Sequence, residues 1–132
     1  MVACALSEQA GAQVHLVESN AKKAAFLREA GRSLAIPATV HAKRIEEFAK
    51  AFVGRADVVT ARALAPLSEL LDLAAPLLKT GAKGLFLKGQ DVEAELTEAA
   101  KCWTIKSTFA PSKTSPQARI IVIHSARRLG KQ

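Results

Sequence analysis

The sequence has no tyrosine and one tryptophan, Trp103, among its 132 residues. So few aromatic rings argue against a surface on which single-stranded bases stack. The chain also lacks any apolar run near the roughly 18 residues that a membrane span requires. No charged segment precedes an apolar one in the manner of a signal peptide. These absences predict a soluble, cytoplasmic protein that is not exported and has no membrane partner.

Cysteine is also scarce, since the chain has only Cys4 and Cys102. Two cysteines so far apart have neither metal-ligand spacing nor the number that a disulfide framework needs. We therefore expect the reduced thiols of a cytosolic protein. His15, His41 and His124 do not cluster as ligands either, so we interpret them as strand residues and expect no metal.

Basic residues, in contrast, are plentiful. Nineteen lysines and arginines against twelve acidic residues give a formal net charge of +7 at pH 7. Such an excess suits a polyanionic partner such as RNA. A generally basic surface without a nucleic-acid partner explains the charge alone equally well. The length and the apolar fraction of 49% are those of one ordinary globular domain.

Two hydrophobic periodicities alternate along the chain. Short runs rich in β-branched residues predict strands, and apolar residues recurring at three- and four-residue steps predict helices between them. The predicted strands are Gln13–Glu18, Ala38–His41, Ala56–Thr60, Gly84–Lys88, Trp103–Phe109 and Ile120–His124. The predicted helices follow a cap at Ser19 or Asn20, cover Ile45–Phe52, begin at Pro66, and follow a cap at Asp91. This alternation predicts an α/β fold with a mostly parallel sheet covered on both faces.

The last two predicted strands break the parallel pattern. Only residues 110–118 lie between Phe109 and Arg119, and this linker contains Pro111 and Pro116. A parallel return needs a crossover of about a dozen residues or more, usually helical, so the two strands should pair antiparallel. A mostly parallel sheet with an antiparallel final strand is typical of Rossmann-like, class I S-adenosylmethionine methyltransferases rather than of nicotinamide dehydrogenases.

Glu18 ends the first predicted strand, at the edge where open α/β sheets bind ligands. An acidic residue there commonly accepts hydrogen bonds from ribose hydroxyls, in dinucleotide and in S-adenosylmethionine sites. Taken alone, the residue is explained equally well as a surface or helix-capping glutamate, so Glu18 is a candidate rather than an assignment.

Five segments of the sequence, taken in order, resemble one enzyme family. They are Leu16–Arg28, Lys43–Phe48, Asp57–Ala63 with Pro66–Leu67, Leu87–Gly89 and Arg119–Ile123. In order and spacing they are similar to the signatures of the RsmG (GidB) family of ribosomal small-subunit RNA guanine-N7 methyltransferases. The resemblance runs from about residue 13 to residue 124. It implies S-adenosyl-L-methionine as the cofactor and 16S ribosomal RNA or the small ribosomal subunit as the partner.

The resemblance also implies roles for individual residues. Glu18 would bind the cofactor ribose, and the backbone of Ile45 and Glu46 would frame the adenine. Arg62, just past a strand end, would contact the cofactor and the incoming nucleotide. The basic positions that line the family's catalytic cleft fall on Lys22, Arg44, Lys88 and Arg119. A solvated basic side chain is the alternative for each, but Arg62 lies among small apolar residues, so we expect it to be buried or half-buried and paired.

The reaction that the resemblance implies needs no general base. Guanine N7 carries a free lone pair and no proton, so the enzyme must hold the methyl group in line with N7 and exclude water. A catalytic cation near guanine O6, either Lys88 or Arg119, would orient the base. Replacing either residue by alanine is expected to reduce methyl transfer and to leave the fold intact.

One feature of the family is missing from the sequence. Sites of this type place a Gly-rich turn after the first strand, but only Gly11 precedes Glu18, and Val2–Ala10 is typical of the first helix itself. We therefore expect residues 1–126 to form a methyltransferase domain without its first strand and Gly-rich loop, and residues 127–132 to form a frayed basic tail. Such a chain is a truncated product, the result of a start assigned too late, or a decayed gene. Alone, it is expected neither to bind S-adenosylmethionine well nor to methylate.

Two other functions stay open on the sequence alone. One is a catalytically inactive remnant that binds RNA or a partner, which tight RNA binding without S-adenosylmethionine affinity would favour. The other is a small-molecule methyltransferase, in which the basic cleft residues would have no purpose.

Overall fold

The computed structural model describes residues 13–36, 38–52, 56–62, 65–89, 91–113 and 117–130. The chain divides into two compact units, residues 1–52 and 53–132. In the described ranges, no helix is long and apolar enough to cross a membrane. The helix predicted over Val2–Ala10, and with it the question of the first strand and Gly-rich loop, lies outside these residues.

The first unit contains two strands and two helices. They are β1 (Val14–Val17), α1 (Ala21–Ser33), β2 (Ala38–His41) and α2 (Ile45–Ala51). The two strands pair in parallel, so both end at the same edge of their sheet. Asn20 caps α1 as predicted, because its side chain accepts a hydrogen bond from the backbone N–H of Lys23 at 3.0 Å.

The second unit contains four strands and two helices. They are β3 (Val58–Arg62), α3 (Leu67–Leu78), β4 (Lys83–Lys88), α4 (Val92–Ala99), β5 (Trp103–Pro111) and β6 (Arg119–Arg128). The strand order is β3-β4-β6-β5, with β3 parallel to β4 and β6 antiparallel to both of its neighbours. Three strands therefore share one direction and β6 opposes them. The predicted antiparallel pairing of the last two strands is confirmed.

The second unit has one apolar core. The predicted apolar stripe of α3 supplies Leu67 and Leu71, which pack with Phe86 of β4 and Ile121 of β6, all of them almost fully buried. Gly84 is part of this packing, because a Cβ atom there would lie 2.9 Å from the ring of Phe86. The ring therefore needs a glycine two residues before it on the same strand.

The strand β3 lies two residues further along the chain than the predicted Ala56–Thr60. Its register is fixed by pairing with β4, which begins with Val58 opposite Lys83 and ends with Arg62 opposite Leu87. As a consequence, Arg62 is the last residue of the strand and does not follow it.

The C-terminal strand β6 is longer than predicted. It continues to Arg128, which pairs with Trp103 of β5, so the basic tail predicted for residues 127–132 begins inside a strand. The guanidinium of Arg128 also forms an ion pair with Asp72 and lies 5.6 Å from the centre of the Trp103 ring. These contacts order the first part of the segment that composition alone suggests is frayed.

Candidate functional site

Glu18 follows β1 at the edge where both strands of the first unit end. Its backbone N–H donates to the carbonyl of His41 at 3.0 Å, which extends the pairing of β1 with β2. Its half-buried carboxylate accepts the N–H of Asn20 through Oε2 at 2.9 Å. One carboxylate oxygen is thus oriented by the backbone, and the other suits a ligand hydroxyl.

The start of α2 lies after β2 and presents backbone donors. The first bond inside this helix runs from the N–H of Phe48 to the carbonyl of Arg44, and Arg44 provides no side-chain cap. The N–H groups of Ile45 and Glu46 therefore have no acceptor within the helix. They can donate to the ring nitrogens of a purine.

Two of the predicted RNA-binding residues lie in the first unit as exposed cations. Lys22 lies in the first turn of α1, and Arg44 precedes α2. The guanidinium of Arg44 approaches the carboxylate of Glu46, with 3.9 Å between Nε and Oε2. The structure thus brings together two predicted site residues, Arg44 and Glu46. The two cations, Lys22 and Arg44, remain accessible to solvent.

A pair of histidines joins β1 to β2. The Nδ1 atom of His15 lies 3.0 Å from the Nε2 atom of His41, and the ring of Phe48 packs 4.7 Å from that of His41. Burial first, and then the neighbouring positive charges beginning with His15, lower the pKa of His41. Both residues lie in strands as predicted, but their contact was not anticipated. The pair is a structural contact between the strands that favours a neutral His41.

An apolar groove of about 480 Å³ lies between α1 and the sheet of the first unit. Phe26 and Leu34 line it and are largely exposed, at 70% and 63%. None of the predicted site residues lines this groove, so it is separate from the candidate site.

Arg62, at the carboxyl end of β3, is exposed. The burial expected for it is not found, because side chains alternate along the strand: Val59 and Ala61 pack on the core, and Arg62 points to the other face. In the part of the chain that the structure describes, no acidic side chain forms an ion pair with Arg62. It is therefore an available cation at the edge where β3 and β4 both end.

Lys88, the last residue of β4, is buried. Its side chain is 7% exposed, and its Nζ atom lies 2.9 Å from Oε1 of Glu95 and 2.5 Å from the carbonyl oxygen of Ala65. This position differs from the expected one, a cation lining an open cleft. Helix α4 follows β4 directly and turns its Glu95 carboxylate onto the lysine, which gives the buried charge the partner it requires.

Arg119 begins β6 directly opposite Lys88. Unlike the lysine, its side chain is 45% exposed, and it pairs with Glu93 of α4 at 2.7 Å between Nη1 and Oε1. Its guanidinium also lies 5.5 Å from the centre of the Phe109 ring. Of these two predicted catalytic cations, Arg119 is therefore the one that reaches solvent.

No role was predicted for the acidic residues that pair with these cations. Glu93 and Glu95 lie in the first turn of α4, where carboxylates are favourable to the helix dipole. The sequence indicates that the two glutamates lie in the first turn of a helix. It does not indicate that this turn faces Lys88 and Arg119.

Comparison with solved structures identifies the fold. An rRNA methylase from Streptococcus thermophilus matches with a TM-score of 0.60 at 8% identity, over 86% of this chain and 73% of that one. TrmN from Thermus thermophilus matches with a TM-score of 0.64 at 16% identity, over 91% of this chain and 39% of that one. The chain has the α/β fold of class I methyltransferases with a mixed sheet, as predicted.

Comparison with sequences identifies the family. The family described as GidB, rRNA small subunit methyltransferase G, matches residues 1–121. The ribosomal RNA small subunit methyltransferase G of Bradyrhizobium sp. (strain ORS 278) is 55% identical over 128 residues, which are 97% of this chain and 58% of that protein. The chain thus spans little more than half the length of this relative. The family predicted from the five sequence segments is confirmed: the chain belongs to the GidB, or rRNA small subunit methyltransferase G, family.

Proposed function

We propose that the natural gene product containing this chain methylates a guanine N7 atom of 16S ribosomal RNA with S-adenosylmethionine. The family match over residues 1–121 is the observation that carries this proposal. The substrate we propose is 16S RNA as part of the small ribosomal subunit, so the reaction would take place in the cytoplasm.

The first unit provides groups that fit the nucleoside half of the cofactor. In the part of the chain that the structure describes, one carboxylate oxygen of Glu18 accepts no hydrogen bond, which suits the ribose hydroxyls. The N–H groups of Ile45 and Glu46 have no acceptor within their helix, which suits the adenine ring. S-adenosylmethionine supplies an electrophilic methyl group on its sulfonium sulfur. The role of these three residues is to bind and orient the molecule that carries this methyl group.

The second unit provides cations for the RNA. Arg62 and Arg119 are both exposed, Arg62 at a strand end and Arg119 at a strand start. Together with Lys22 and Arg44 of the first unit, they are the residues that we propose contact RNA. Because N7 has no proton to remove, these residues have to hold the base in place and exclude water, and no proton acceptor is required. A guanidinium such as that of Arg119 suits the O6 atom of guanine, a common arginine acceptor. Lys88 is not among these residues, because its side chain is buried and paired with Glu95.

Arg119→Ala is expected to weaken binding of 16S RNA about three- to tenfold. It should also reduce the slope of the logarithm of the binding constant against the logarithm of the salt concentration by about one. Glu93→Gln is expected to act in the opposite direction. The exposed Arg119–Glu93 pair is worth about 0.2–1 kcal/mol, so removing the carboxylate should strengthen RNA binding by up to about fivefold. Binding is measured by filter retention at several salt concentrations.

The Arg32–Glu29 pair on α1 is the control, because it is also an exposed arginine–glutamate pair and has no proposed role in RNA binding. Arg32→Ala and Glu29→Gln should leave RNA binding within about twofold of the wild type. Equal effects of Arg119→Ala and Arg32→Ala would mean that general charge, and not a defined contact, attracts the RNA.

A further inference from the structure

The buried pair of Lys88 and Glu95 contacts the backbone that follows β3. Oε1 of Glu95 accepts the N–H of Leu67 at 2.8 Å and also pairs with Nζ of Lys88. The same ammonium group donates to the carbonyl oxygen of Ala65. The pair therefore holds the peptide backbone on both sides of Pro66.

The contact with Leu67 supplies a hydrogen-bond acceptor that the residues next to it in the sequence do not provide. Leu67 begins α3, and its N–H is one of the donors that have no acceptor within a helix. Pro66 occupies the cap position and forms no side-chain hydrogen bond to the helix. The carboxylate of Glu95, from a neighbouring helix, supplies both the missing acceptor and a negative charge at the positive end of α3.

The backbone segment that the pair holds, Ala65–Leu67, follows the carboxyl end of β3 in the chain. Arg62 and Lys88 end two parallel strands, and ligands of open α/β sheets bind outside such carboxyl ends. We infer that Glu95, acting through Lys88 and the Ala65–Leu67 backbone, is a positioning residue for the strand end that carries Arg62. This inference rests on the proposed function, since it assigns the positioning to methyl transfer.

The role of Glu95 predicts a particular kinetic effect. A small displacement of groups around a reacting nucleotide lowers the rate of reaction steeply, because catalysis here depends on alignment. Of the four cations that we propose contact RNA, Arg119 pairs with Glu93 instead of Glu95, and Lys22 and Arg44 belong to the other unit, so three of the four keep their positions. Glu95→Ala should therefore lower kcat for methyl transfer about tenfold and change KM for 16S RNA by less than about twofold.

The test measures kcat, KM and hydrogen exchange at the amide of Leu67 in the natural gene product. In Glu95→Ala this amide should exchange about tenfold faster, because it loses its acceptor. Glu95→Gln keeps an amide oxygen that can accept the same hydrogen bond, so it should recover most of the protection and most of kcat. It also serves if the alanine variant does not fold. Glu98→Ala is the control, since Glu98 lies on the same helix in an exposed pair with Lys101.

The outcomes separate this inference from the proposed function. Faster exchange at Leu67 with unchanged kcat would overturn the positioning role and leave a purely structural pair. Reduced kcat with unchanged exchange would overturn the route through the Ala65–Leu67 backbone. If wild-type protein transferred no methyl group while Leu67 still responded to Glu95→Ala, the proposed function would fail, and the positioning role with it.

Discussion

Replacing Lys88 by alanine is expected to lower the free energy of unfolding by about 3 kcal/mol. Removing one partner from a buried ion pair typically costs about 3–5 kcal/mol, and the lower end applies because Glu95 is 25% exposed. The substitution leaves the carbonyl of Ala65 without its donor and the carboxylate of Glu95 without its counter-ion. From the sequence we expected the fold to stay intact, but the burial of Lys88 predicts a substantial loss of stability.

Urea unfolding of wild type and variant measures this difference. Lys101→Ala is the control, because Lys101 pairs with Glu98 on the surface and its loss should cost less than about 1 kcal/mol. Combining Lys88→Met with Glu95→Gln should recover most of the stability, since neither residue then carries a buried charge and glutamine still accepts from Leu67. A loss below about 1 kcal/mol for Lys88→Ala would show that the side chain is the open cleft cation that the family resemblance implies.

The 132-residue chain alone is expected to bind S-adenosylmethionine roughly a hundredfold more weakly than the natural gene product. The family places a Gly-rich turn against the methionine half of the cofactor, and the sequence before Glu18 contains only Gly11. Each backbone hydrogen bond that such a turn supplies contributes on the order of 1 kcal/mol, and two or three are at stake.

Isothermal titration of the purified chain with S-adenosylmethionine tests this expectation. A chimera that adds the remaining residues of the Bradyrhizobium relative is the positive control and should bind at micromolar concentrations. Micromolar binding by the 132-residue chain itself, as a monodisperse and cooperatively folding sample, would mean that residues before Glu18 replace the turn.

Local sequence rules predicted the elements whose limits are set locally. The cap at Asn20 and the limits of Ala38–His41 agree with the structure, because a polar cap and a short β-branched run act within a few residues. The short predicted linker predicted the antiparallel end of the sheet for a similar reason, since its length excludes a crossover, although Pro111 itself pairs with Arg119 as the last residue of β5. Asp91 precedes α4 as predicted, although its side chain forms no capping hydrogen bond.

Features set by contacts between distant segments could not be predicted in this way. The limits of β3 depend on the register with β4, and the end of β6 depends on Trp103 and Asp72. The burial of Lys88 depends on which side of α4 faces the sheet. Charge and position along the chain are the same for a cleft lysine and for a buried one, so the sequence alone could not separate the two.

Analysis of the reaction product decides whether the natural gene product transfers a methyl group to a guanine N7 atom of 16S RNA, as we propose. Small ribosomal subunits from a strain lacking the gene are incubated with the protein and labelled S-adenosylmethionine, and the RNA is digested to nucleosides for mass spectrometry. We expect one labelled product, N7-methylguanosine, and its loss when Glu18 is replaced by alanine. Label on another atom or another nucleoside, or no label at all, would contradict it.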